Sequence, residues 1–306
     1  MLPLPRNGIT PPLITPLSAP DSLDTRGFET IASRAITAGV TGLFVLGTTG
    51  EGPSLSQRLK REVVTRCCEI AKDRVPVLAA LIEASTDDAL KLADHAANAG
   101  AHALVLTPPF YFPIPQDAVI RYAERLIPRL PLPVYLYNIP VFTKVPFEPE
   151  TLARLAQLPN VVGIKDSGGD LTKLARTRAL LPNIPILWGP EEVLLEAMEA
   201  GADGGVNGGA NLFPELFVAL YNAIKSGEKQ HARVLQNIVC RIGSEIYGAA
   251  PAGPGFIFGI KCAIEVMGLA SGLPAEPLTA LNETQREQVR ASLASIELEL
   301  TARRPS

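Results

Sequence analysis

Hydrophobic positions along the chain follow two patterns that alternate. Short apolar runs recur roughly every thirty residues, at 8–15 (GITPPLIT), 42–47, 76–82, 103–108, 133–138, 161–167, 185–190 and 204–209. Most are apolar throughout instead of in every second position, which suits parallel strands buried on both faces. The last run, GGVNGG, is strand-like mainly through its place in the series. Between the runs lie stretches with apolar residues at helical spacing: 27–39, 57–73, 87–100, 116–128, 148–159, 170–181 and 191–201, with an eighth at 213–227. Gly39, Gly100, Gly201 and Gly227 sit near the ends of these stretches, and Pro131, Pro159 and Pro182 just beyond others. Both residue types punctuate helix ends.

Eight strand–helix alternations predict an α/β chain folded as a (β/α)8 TIM barrel, since an open doubly wound sheet has no need of so regular a count. After about residue 226 the strand pattern stops. Helical stretches at 229–246, 256–268 and 284–304 follow, with a loop at 248–255 and a frayed tail. The reading is a barrel over 1–226 and a C-terminal helical extension over 227–306.

Composition narrows the possible partners. The 306 residues are 47% hydrophobic, enough for a large core, and the net charge of −3 is spread without blocks of one sign. Nothing in that balance suits nucleic acid or an anionic membrane. The N-terminal stretch lacks the organisation of a signal peptide and no run is long enough to span a bilayer, so a cytoplasmic enzyme is expected. Cys67, Cys68, Cys240 and Cys262 have neither disulfide-framework nor CxxC spacing and read as buried reduced thiols. His95, His102 and His231 show no ligand spacing, and no glycine-rich nucleotide fingerprint is present, so neither a metal nor a cofactor is expected.

In such a barrel the C-terminal ends of the strands carry the chemistry. Strand six ends in GIKDS, putting Lys165 behind a core run. A lysine desolvated there is pushed toward the neutral, nucleophilic amine that attack on a ketone requires. Alone, it serves as well to cap the barrel through an ion pair with Asp166 or Glu83. Strand two ends in GTTGEG, where Thr48, Thr49 and glycine-flanked backbone N–H groups suit a carboxylate. Strand five ends in YNIP, which puts the phenol of Tyr137 where a proton must move. Each has a plain structural reading, a satisfied turn for the threonines and a rim residue for the tyrosine. Together at three strand ends they point to one site.

With these motifs in place, the chain resembles the dihydrodipicolinate synthase / N-acetylneuraminate lyase superfamily of class I aldolases. The likeness covers nearly the whole length: GTTGE at 47–51, TPPFYF at 107–112, YNIP at 137–140, GIKDS at 163–167 and GGVNGGAN at 204–211. It implies that Lys165 forms a Schiff base with a 2-oxo acid, typically pyruvate or a sugar acid that yields it. Tyr137 is then the proton shuttle, with Thr48 in the relay. Thr49 and the backbone from Gly47 hold the substrate carboxylate, while Gly189 and Val206 line the pocket. A neighbouring subunit's aromatic residue is implied to complete the site, with Tyr111 the candidate and Phe110 next, in a homo-oligomer of two or four chains.

One departure bears on the substrate. Dihydrodipicolinate synthases carry an arginine shortly after YNxP that binds the aldehyde's carboxylate, whereas this chain has Phe142, followed by Thr143. A phenyl ring cannot pair with a carboxylate, so the lysine-biosynthesis reaction is not expected. Lys144 reads as a solvated loop residue. Phe142, Phe110 and Phe112 make the far side more apolar than a polyol would favour, while KDSGGD at 165–170 resembles aldolases for 4-hydroxy-2-oxoglutarate and 2-keto-3-deoxy sugar acids. Three readings stand: a Schiff-base aldolase, a keto-deoxy sugar acid dehydratase using the same imine, and a barrel that binds a metabolite without catalysis. Glu51 and Lys261 read as structural, and Asp166 as packing behind its strand or capping the next helix.

Overall fold

A computed structural model of the chain describes residues 2–250 and 254–302. The eight expected strands are present: β1 (Gly8–Ile9), β2 (Leu43–Val45), β3 (Val77–Leu81), β4 (Ala103–Leu106), β5 (Val134–Asn138), β6 (Val161–Asp166), β7 (Ile186–Trp188) and β8 (Gly204–Gly205). They form one sheet in the order β1-β8-β7-β6-β5-β4-β3-β2, with every neighbouring pair parallel. Closure comes from the residues just after β1, where Pro12 bridges to Phe44 of β2. The Phe44 N–H donates to Pro11 O at 3.0 Å and the Leu13 N–H to Phe44 O at 2.8 Å. Two prolines shorten β1 because they bring no N–H, yet the carbonyl of Pro11 and the amide of Leu13 suffice to close the barrel.

β8 consists of two glycines because the backbones meet there. A Cβ on Gly204 would lie 2.2 Å from the carbonyl oxygen of Gly8 on β1. The strands are otherwise apolar and buried, as their unbroken hydrophobic runs require.

Helices α1 (Thr25–Thr37), α2 (Gln57–Ala71), α3 (Thr86–Asn98), α4 (Gln116–Leu126), α5 (Pro149–Leu155), α6 (Leu171–Leu180), α7 (Leu194–Glu199) and α8 (Pro214–Lys225) follow the strands in turn. Asp24, Ser56, Ser85 and Asp170 accept from amides in the first turns of α1, α2, α3 and α6, which satisfies donors a helix end leaves open. A small hairpin, Leu17–Ala19 with Ser22–Leu23, had no signal in the sequence.

α9 (Lys229–Arg241), α10 (Gly255–Val266) and α11 (Glu283–Ala302) form the C-terminal extension. The helix expected over 229–246 ends earlier as an α-helix: Ile242–Ile246 widen into a π-turn and Tyr247–Ala249 tighten into a 3-10 turn. That break brings the Tyr247 hydroxyl to Glu191 at 2.7 Å, and such helix irregularities often mark sites. Residues 251–253 of the expected 248–255 loop, and the tail from 303, lie outside the described residues. No described helix is long and apolar enough to cross a membrane.

Candidate active site

The site is built from strand register outward. β5 and β6 run side by side with Tyr137 opposite Lys165 and Asn138 opposite Asp166. Side chains alternate faces along a strand, so Tyr137 and Lys165 share the barrel interior while Asn138 and Asp166 share the other face. The Lys165 Nζ lies 3.7 Å from the Tyr137 ring centroid and 4.5 Å from that of Phe44.

Lys165 is only 5% exposed, and burial holds its amine well below the usual lysine value of 10.5. The two ring faces favour an ammonium by about 0.5–2 kcal/mol. Stripping the ion of water costs several kcal/mol, so desolvation wins. Neither acid proposed as a cap takes it. Glu83 pairs with Lys60, whose Nζ is 2.5 Å away, and accepts from Gln57 Nε2 at 2.9 Å. Asp166 accepts from Asn138 Nδ2 at 2.9 Å and from the Gly168 N–H at 2.8 Å. It thus packs behind the strand, while Asp170 caps α6.

The Tyr137 hydroxyl stands 3.1 Å from Thr48 Oγ1. Burial pushes the phenol up to about 12, against hydrogen bonds with Thr48 and Ser167 that pull it down. The turn that presents Thr48 and Thr49 is fixed from below. Thr15 Oγ1 donates to Gly50 O at 2.8 Å, and Glu51, in the left-handed region at φ 55°, buries its carboxylate against Lys261 of α10. The other Glu51 oxygen accepts the Ala275 N–H at 2.7 Å, and Lys261 Nζ also donates to Leu273 O at 2.7 Å. Glu51 and Lys261 are therefore structural, as their positions in the sequence suggested.

A cavity of ≈ 250 Å³ opens at these strand ends. Lys165, Tyr137, Thr48, Thr49, Gly189, Val206 and Phe142 all line it. Three other expected residues do not. Gly47 is packed at the strand end, where a Cβ would meet the Phe44 ring at 2.5 Å. Thr143 is buried with its hydroxyl donating to Ile139 O and Val145 O, so it closes its own turn. Tyr111 is 80% exposed and stacks edge-on against Phe112 at 4.9 Å, outside the cavity of its own chain. Lys144 is exposed, its Nζ donating to Val141 O at 2.7 Å.

Among the lining residues without a role assigned from the sequence, Ser167, Glu191, Tyr247 and Phe256 bear most on the site. Ser167 belongs to GIKDS and Glu191 lies two residues past Gly189, so both stand at strand ends, where a barrel gathers its chemistry. Tyr247 and Phe256 come from the broken C-terminal helices and had no such signal. Glu191 is buried, accepting from the Tyr247 hydroxyl and from the Gly209 N–H at 2.9 Å. Burial, with Glu192 adding to it, pushes its carboxyl up to about 7. Phe142 faces Phe256 with ring centroids 6.4 Å apart.

Lys165 is the only lysine, arginine or histidine among the described lining residues. The described residues hold no cluster of His, Cys, Asp and Glu suited to a metal ion. His95 shares its Nε2 with Thr65 and Arg61 O, and His102 Nδ1 accepts the Val77 N–H.

Known proteins resemble this chain over nearly its whole length. The model of the dihydrodipicolinate synthetase family matches residues 5–296. An uncharacterized DapA-like lyase of Halobacterium salinarum is 34% identical over 97% of this chain and 96% of its own. The 4-hydroxy-tetrahydrodipicolinate synthase of Hyphomonas neptunium is 34% identical over 94% and 97%. Among solved structures, dihydrodipicolinate synthase from Bacteroides thetaiotaomicron superposes with a TM-score of 0.92 at 41% identity, over 96% of this chain and all of that one. YagE, a prophage protein from E. coli K12 solved in complex with pyruvate, gives 0.89 at 29%, over 95% and 99%. With family model, relatives and barrel in agreement, the chain belongs to the dihydrodipicolinate synthetase family and is a class I aldolase-type lyase.

Proposed function

We propose that the chain is a Schiff-base-forming lyase for pyruvate-type 2-oxo acids or 2-keto-3-deoxy sugar acids, acting with an aldehyde that carries no carboxylate. The observation that carries this reading is the buried Lys165 amine, free of any acid partner, against the ring of Tyr137.

The neutral amine adds to C2 of the 2-oxo acid, and the carbonyl oxygen leaves as water after taking one proton from the adding amine and one from the Tyr137 phenol, which leaves an iminium and a phenolate. The substrate carboxylate sits at the Thr48–Thr49 turn, where hydroxyls and backbone N–H groups meet it. In cleavage, the C4 hydroxyl proton passes to the phenolate of Tyr137, the C3–C4 electron pair flows into the iminium, and an aldehyde departs. Protonation of the enamine at C3 and addition of water return pyruvate and the amine.

The limit on the second substrate rests on the lining. Among the described lining residues no cation besides Lys165 faces the cavity, Phe142 stands where the family resemblance puts an arginine, and Glu192 at the rim disfavours a second carboxylate. This lining supports a reaction other than that of an authentic dihydrodipicolinate synthase. The dehydratase reading draws on Glu191, whose raised carboxyl is a proton source for a departing hydroxyl. Product analysis separates the two, because elimination releases water, keeps the carbon chain whole and yields no pyruvate. Exposed Tyr111, Phe112 and Val141 beside the site support a homo-oligomer built on this rim.

Borohydride reduction in the presence of pyruvate, followed by peptide mass measurement, tests the imine. A reduced pyruvyl adduct on the Lys165 peptide, absent from Lys165→Ala, is the expected result. Failure to trap pyruvate or any longer 2-oxo acid would bring the non-catalytic reading forward.

A further inference from the structure

We infer that the aldehyde partner carries an aryl group, seated against a wall of three rings, Phe142, Tyr247 and Phe256, two of which belong to the C-terminal extension. The inference rests on the proposed Schiff-base reading and narrows its second substrate.

The cavity lining divides in two. Thr48, Thr49, Tyr137 and Lys165 stand at or just past the ends of β2, β5 and β6 and are taken by the 2-oxo acid in that reading, with Ser167 beside them. Most of the remaining lining is apolar, with Ile139, Phe142, Pro190, Val206 and Phe256. The polar groups on that side mainly engage one another. The Tyr247 hydroxyl donates to Glu191 Oε1 at 2.7 Å, and the Gly209 N–H to Glu191 Oε2 at 2.9 Å. Glu192 is left at the rim. A polyol would bring several hydroxyls that lose water on entry and need partners there. An aryl group needs none and gains from the area it buries.

Close backbone contact builds this wall. α10 begins at Gly255, with Phe256 next. A Cβ on Gly259, about one turn on, would lie 2.6 Å from Ile246 O. The bare glycine thus lets α10 press against the broken end of α9 that carries Tyr247. Phe142, from the turn after β5, meets Phe256 with ring planes tilted by 54°. Aromatic rings favour offset and edge-on partners over flat stacks, and an aryl substrate extends that contact. An apolar cavity of about 150 Å³ holds benzene, so the ≈ 250 Å³ here admits such a ring beside pyruvate.

Cleavage of 4-hydroxy-2-oxo-4-phenylbutanoate reads the wall. Once its C2 is an iminium on Lys165, the C4 hydroxyl proton passes to the Tyr137 phenolate, the C3–C4 electron pair flows into the iminium, and benzaldehyde departs. Pyruvate release is followed for this compound and for 2-keto-3-deoxygluconate, which undergoes the same bond cleavage with a polyol in place of the ring. The wild-type protein is expected to favour the phenyl compound in kcat/KM by about ten- to a hundredfold. Phe256→Ala and Phe142→Ala are each expected to lower that preference about tenfold. A ratio of two substrates on one preparation does not depend on the fraction folded.

A wild-type protein that cleaves the sugar acid as well as the phenyl compound would overturn the inference. So would a preference unchanged in both variants. Borohydride trapping of pyruvate on Lys165 without cleavage of either compound would remove the aryl substrate and leave the imine standing. Failure to trap any 2-oxo acid would remove the Schiff-base reading, and the inference with it.

Discussion

Lys261 of α10 pairs with Glu51 in the turn after β2, both side chains fully out of solvent. The C-terminal extension thereby anchors the turn that presents Thr48 and Thr49. Breaking one partner strands a buried charge, which costs about 3–5 kcal/mol. Lys261→Met is expected to lose that much stability in urea unfolding. Glu51→Gln combined with Lys261→Met should be less damaging than Lys261→Met alone, because no uncompensated charge remains.

Tyr137→Phe keeps the ring against Lys165 and removes only the proton carrier. Turnover should fall by roughly 10²–10⁴. Pyruvate trapping on Lys165 at long incubation should persist, although more slowly. Steady-state kinetics beside timed trapping check the separation.

Lys165 and Glu191 set opposite pH dependences of stability. The Lys165 amine titrates below its unfolded value, so between the two the unfolded chain binds more protons and stability rises with pH. The Glu191 carboxyl titrates at about 7 against an ordinary 4.5. Across that window the folded chain binds more protons, and stability falls as pH rises. Lys165→Met is therefore expected to stabilise most at acid pH, and Glu191→Gln most above pH 7. For Glu191→Gln the gain is on the order of 2–3 kcal/mol. Thermal unfolding across pH 5–9 reads both.

Phe142→Arg restores a cation at the rim of the cavity. A bond between a guanidinium and a carboxylate contributes about 1.5–3 kcal/mol, so kcat/KM for a carboxylate-bearing aldehyde should rise about tenfold or more. The value for an uncharged aldehyde should fall or stay level. Paired assays with pyruvate and the two aldehydes decide it.

The barrel was legible because buried parallel strands leave unbroken apolar runs, and because glycines and prolines mark where helices stop. Lys165, Tyr137 and Thr48 were legible for the same geometric reason: a barrel gathers its strand ends, so residues far apart in sequence become neighbours. What escaped was whatever depended on irregular backbone. Tyr247 reaches Glu191 only because α9 breaks into a π-turn, and Ser244 or Ile246 would have seemed as good a candidate on helical spacing. Thr143 was misplaced because nothing in YNIPVFT tells a hydroxyl turned toward substrate from one that closes its own turn.

The seam at β1 also shapes how the molecule assembles. Gly8 pairs with Gly204 on one side, and Pro12 with Phe44 on the other. The β1 segment must therefore wait for nearly the last strand before both its edges are covered. Contacts that span so much chain close late, since the entropy of a long loop is lost before any pairing is gained. Folding is expected to zip β2 through β8 first and to end with the β1 segment slotting between the two outer strands. Truncating the first dozen residues should leave a curled, secondary-structured chain with two open edges, prone to pairing with its own copies.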